Sequence, residues 1–68
     1  MMRLEQITAV ALEKVAFDKY LLAEAVAKRA KEIAKGAKPL VDMDVKKHKH
    51  TDIALIEIAE GLLEVKSN

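Results

Sequence analysis

The stretch Tyr20–Val41, YLLAEAVAKRAKEIAKGAKPLV, constrains the fold of this chain more than any other part of it. A helical period runs as far as Lys35 and then meets two stop signals. Gly36 suits the left-handed position that closes a helix, and Pro39 has no N–H with which to resume one. Leu22, Val26 and Ile33 fall together on one face, flanked by Ala23, Ala27, Ala30 and Ala34. A seam of alanine lets a neighbouring backbone approach closely. Glu24, Lys28, Lys31 and Lys35 form the opposite stripe. The acid precedes Lys28 by one turn, the favourable order for an intrahelical pair, and the lysines complement the negative end of the helix dipole. They read as a solvated face. Arg29 differs, because it sits on the border of the apolar face. There a guanidinium can bury its stem and offer a planar fork to a carboxylate or a backbone carbonyl.

The flanking segments follow from this centre. Leu4, Ile7, Ala11 and Val15 recur at spacings of three and four, which predicts a first helix over about 4–15. Asp18 is placed to cap the central helix, about 19–35, by accepting a free N–H of its first turn. Phe17 just before it is expected in the core or stapled to Leu22. Past the helix, Lys38 is held extended by the following proline. Leu40 and Val41 are expected to anchor a strap by packing on the helices.

Asp42–His50, DMDVKKHKH, reads as a solvated loop. Asp42, Asp44, His48 and His50 are possible metal donors by type. The two histidines, two apart and set among lysines, match neither one helix face nor a zinc signature, so no metal is expected. A third helix is predicted over about 52–65, capped by Thr51 or Asp52. Glu57, Glu60 and Glu64 share a narrow stripe with Ile53, while the apolar residues spread over roughly 200° of the wheel, wider than one packing face needs. Such breadth asks for a partner's cover. Gly61 costs about 1 kcal/mol inside a helix, so the helix can end there and leave Leu62–Val65 as an apolar tail.

Composition narrows the class. With 68 residues the chain is one domain, and with no cysteine it has no disulfide or thiolate metal site to reinforce it. Phe17 and Tyr20 are its two aromatics. A core of Leu, Ile, Val and Ala in so short a chain supplies no more than about 3–5 kcal/mol, which again favours completion by a partner. The formal net charge of +1 argues against a protein whose main work is neutralising nucleic acid. MMRLEQ is not read as a signal peptide, no run approaches the roughly 20 apolar residues that span a bilayer, and a cytoplasmic location is expected. No nucleophile–base pair or carboxylate site can be assembled.

In order, F-D-K-Y-L-L, A-V-A-K-R-A-K-E-I, G-A-K-P-L-V and T-D-I-A-L-I-E-I-A-E-G resemble the omega-subunit family of bacterial RNA polymerase, from about Glu5 to Gly61. The resemblance implies a small, mostly helical, non-catalytic subunit of a nucleotidyltransferase complex. It would wrap the C-terminal region of the beta prime subunit and aid that subunit's folding, assembly and retention. The family's A-K-R-A segment falls on Ala27, Lys28, Arg29 and Ala30, its P-L-V on Pro39, Leu40 and Val41, and its A-L-x-E-I on Ala54, Leu55, Glu57 and Ile58. In some members a basic N-terminal stretch helps beta prime form a site for guanosine tetraphosphate; here Arg3 is the one matching cation, without the small and hydroxyl residues that flank it in that motif.

The expected fold is therefore all-α: a small bundle of about three helices with an extended Pro-Leu-Val strap, in a single domain over 1–68. The expected partner-binding residues are Leu22, Val26, Arg29, Leu40, Val41, Leu55, Ile58 and Leu62. Cofactors and direct nucleic-acid binding are not expected. The alternative is a helical nucleic-acid-binding module using Lys28, Lys31, Lys35 and the KKHKH loop.

Overall fold

A computed structural model describes residues 4–63 and 65. Its elements are α1 (Leu4–Lys14), α2 (Lys19–Ala34) and α3 (His50–Ala59), with no strand among the described residues. Helix α3 packs on both α1 and α2, which touch each other only slightly. It is the central element, and its own sequence explains why. Ile53, Ala54, Ile58 and Ala59 are all buried, with Leu55 and Ile56 half-buried on either side. The breadth of the apolar face, expected to need a partner, is largely used inside the chain, by α1 on one flank and α2 on the other. Ile7, Ala11 and Val15 bury the predicted stripe of α1, and Leu22 and Ile33 that of α2.

Each helix ends in the same turn. The N–H three residues past the helix's last residue reaches back to a carbonyl, as Phe17 to Leu12 (2.7 Å), Ala37 to Glu32 (3.0 Å) and Leu62 to Glu57 (3.0 Å). The inner bond of the turn runs from Ala16 to Glu13 (3.2 Å), Gly36 to Ile33 (3.0 Å) and Gly61 to Ile58 (3.0 Å). This closure needs a left-handed residue. Glycine supplies it in α2 and α3, with φ of 109° at Gly36 and 73° at Gly61, but in α1 it falls to Ala16 at φ 54°.

That turn corrects two expectations. The third helix stops at Ala59, so the prediction of a helix to Val65 fails and the reading in which Gly61 ends it holds. Phe17, drawn into the left-handed region at φ 63°, is 68% exposed, so it is not a core residue. At its other end α3 begins at His50, earlier than predicted, and neither Thr51 nor Asp52 caps it. Lys49 is the cap residue and makes no side-chain cap bond. The cap of α2 is as expected, with Asp18 accepting from the Leu21 N–H at 3.0 Å. Residues 44–49 are exposed, with Asp44 accepting from the Lys46 N–H at 2.8 Å to shape the loop.

Candidate functional site

A buried polar network lies where α2, α3 and the strap meet. Glu57 is 0% exposed, on the inner side of α3. The helical wheel groups it with Glu60 on a polar stripe, and that placement is wrong. An isolated carboxylate could not sit there, because burial of an unpaired charge is very costly. Arg29 answers it with a two-pronged contact, Nε to Oε1 at 2.8 Å and Nη2 to Oε2 at 3.0 Å. A third hydrogen bond comes from the Leu40 N–H to Oε2 at 2.7 Å. Arg29 also donates through Nη2 to the Lys38 carbonyl at 3.2 Å and through Nη1 to Glu32 at 3.3 Å. No buried side-chain nitrogen or oxygen among the described residues is left without a partner.

The electrostatics follow from these contacts. Burial pushes the Glu57 carboxyl up, but the Arg29 hydrogen bonds, the Leu40 N–H and the arginine charge together outweigh it and hold the group below its usual range. The same hydrogen bond to Glu57 raises Arg29, against the desolvation that lowers it. The pair therefore stays ionised.

The consequence is mechanical. The strap is gripped on both sides of Pro39, at the Lys38 carbonyl and at the Leu40 N–H. Side-chain packing was expected to anchor it, yet Leu40 is 52% exposed and only Val41 is half-buried. The fork of Arg29 finds the carboxylate and the carbonyl that its border position called for, and both belong to this chain.

The other anticipated contact residues divide into groups. Leu22, Val26 and Leu55 line one open, mainly apolar groove of about 510 Å³, with Leu12 and the exposed Ala23 and Ala27 at its walls. Leu40 and Val41 border a second depression with Met43 and Ile56. Ile58 is fully buried and offers no surface, and Leu22 is buried on the floor of its groove. Leu62 is exposed just past the α3 turn. Arg3 lies outside the described residues. Tyr20, not singled out as a contact, is 90% exposed. Lys31 shares a depression with His48, Lys49 and His50. Among the described residues no cluster of three or more His, Asp or Glu side chains could hold a metal ion, and no helix is long and apolar enough to cross a membrane.

Residues 11–65 match the RNA polymerase Rpb6 family, and the chain belongs to it. Within that family the chain is similar to proteins named DNA-directed RNA polymerase subunit omega. One, from a Nitratiruptor species, is 66% identical over 65 residues, covering 96% of this chain and 93% of the relative. Another, from a Sulfurovum species, is 64% identical over 94% of both chains. A third, from Nautilia profundicola, is 55% identical over 96% of this chain and 97% of the relative. No solved structure matches. The omega-subunit family suggested by the A-K-R-A, P-L-V and A-L-x-E-I segments is thus the right one.

Proposed function

We propose that the chain is a non-catalytic subunit of bacterial RNA polymerase, which clamps the C-terminal region of the beta prime subunit and so promotes assembly and stability of the enzyme. It works in the cytoplasm, needs no cofactor of its own, and acts by protein contact rather than by holding nucleic acid. Beyond the names of its relatives, the observation that carries this reading is the open groove of Leu12, Leu22, Val26 and Leu55. Its rim of Ala23 and Ala27 lets a partner's backbone or a bulky side chain come close. Apolar surface of this kind, together with the exposed Leu40 at the second depression and the exposed Tyr20, supports a protein interface.

The test is retention of beta prime by the tagged chain. Ala27→Glu puts a charge into the groove from an exposed position, and Leu55→Asp puts one there from a half-buried position that also packs on the core; each should abolish co-purification. Retention by both variants, with the fold intact, refutes the assignment of this groove. Ile58→Asp is not a test of the interface, because Ile58 is core. One observation favours the nucleic-acid reading: Lys31 and the His48–His50 segment line one depression. Binding of duplex DNA that weakens steeply with salt would support it against the clamp.

A further inference from the structure

We infer that Arg29 and Glu57 are positioning residues for partner binding: together they hold the strap so that Leu40 is displayed in a fixed place. This rests on the clamp reading above and says how one of its surfaces is prepared.

Leu40 is the most exposed aliphatic side chain of the strap, yet its backbone is the best-held part of it. The Leu40 side chain packs too little to give the strap a reason to stay in place, and Pro39 and Val41 beside it are only half-buried. Here polar contacts supply the reason. The Leu40 N–H donates to Glu57 Oε2 at 2.7 Å, and the Lys38 carbonyl accepts from Arg29 Nη2 at 3.2 Å. Pro39 stands between the two held groups and fixes the backbone torsion there. The carboxylate that grips Leu40 is itself fixed by the two-pronged arginine contact. Arg29 comes from α2 and Glu57 from α3, so the strap is registered against both helices at once.

A strap that is ordered before it meets a partner loses less conformational entropy on docking, and binds more tightly for the same contacts. Leu40 and Val41 border an apolar depression with Ile7, Met43, Ile56 and Ala59, so a partner side chain entering there would meet a shaped wall. On the clamp reading the occupant is the beta prime subunit, and the exposed Leu40 beside the half-buried Val41 is the apolar edge it would cover.

Two substitutions separate positioning from mere stability. Arg29→Lys keeps a cation beside Glu57 but cannot hold both the carboxylate and the Lys38 carbonyl. Glu57→Gln keeps the side-chain shape but turns an amide N–H₂ toward other donors. Each is measured in the full chain for helix content, for hydrogen exchange at the Leu40 amide, and for affinity to purified beta prime. With helix content retained, exchange at Leu40 should quicken and affinity should fall roughly tenfold to hundredfold, the worth of one charge-assisted hydrogen bond.

The decisive comparison is a double-mutant cycle with Leu40→Ala. If the pair acts through the strap, the losses from Arg29→Lys and Leu40→Ala do not add, because a displaced Leu40 has little left to lose. Additive losses, or unchanged affinity despite a freed Leu40 amide, overturn the inference while the clamp stands. Failure of the unaltered chain to bind beta prime overturns the clamp itself.

Discussion

Replacing Arg29 with methionine should make the chain respond to acid in the opposite sense from the unaltered protein. The substitution leaves Glu57 at 0% exposure with one hydrogen bond, from the Leu40 N–H, in place of three. Removing one member of a buried pair costs about 3–5 kcal/mol. A chain this small has about that much stability in total, so near neutral pH the variant should be half unfolded or worse. The pH dependence isolates the cause. In the unaltered chain the Glu57 carboxyl lies below its ordinary value of 4.5, so its contribution is full above that pH and is lost as the pH falls further. In the variant nothing from Arg29 opposes burial, and the carboxyl is pushed above 4.5 instead. Its folded state then gains stability on acidification from pH 7 toward 4.5, by up to about 1.4 kcal/mol per pH unit. Urea melts followed by far-ultraviolet circular dichroism at several pH values measure both slopes. Parallel slopes for the two proteins would refute the claim that this carboxylate is buried and held ionised by Arg29. A further variant, Arg29→Met with Glu57→Leu, should recover part of the loss, and the residual of about 1–3 kcal/mol is the orphaned Leu40 N–H.

Ala16→Gly should stabilise the chain by about 0.5–1 kcal/mol, because Ala16 holds at φ 54° the left-handed position that glycine holds in the other two helix-ending turns. The melting temperature should rise by about 2–8 °C, and an unchanged or lower value contradicts the strain. Asp18→Ala should cost about 1 kcal/mol by freeing the Leu21 N–H, read as a lower urea midpoint at unchanged slope.

How far the sequence could be read depended on whether a signal was local. The Ile7–Ala11–Val15 stripe, the Asp18 cap and the Gly36 stop are each set within a few residues, and each stands as read. Phe17 misleads because a hydrophobic residue before a cap suggests a staple. The turn that closes α1 instead puts Ala16 in the left-handed position, and Phe17 follows it there, which no residue type at either place announces. Glu57 misleads for a different reason. Its partner is 28 residues away, and a helical wheel compares only neighbours on one helix. Two faint signals do point to it. Arg29 stands on an apolar border in need of a carboxylate, and Ile53, one turn before Glu57, puts an apolar residue in an otherwise polar stripe. Together they mark a buried pair, whereas separately each passes for an exposed charge. The groove is half legible. Leu22, Val26 and Leu55 can be named one by one, but that α1 contributes Leu12 to the same surface depends on how α3 sits between the other helices.

Titration calorimetry of the chain against the C-terminal region of beta prime, repeated over a range of salt and temperature, tests the clamp most directly. A clamp built on the Leu12–Val26–Leu55 groove and the held strap predicts one-to-one binding with a negative heat-capacity change, the mark of buried apolar surface. It also predicts an affinity that varies little between about 50 and 200 mM salt, a range over which a phosphate-binding surface loses orders of magnitude. Absence of binding, or binding without a heat-capacity change that collapses with salt, would contradict it.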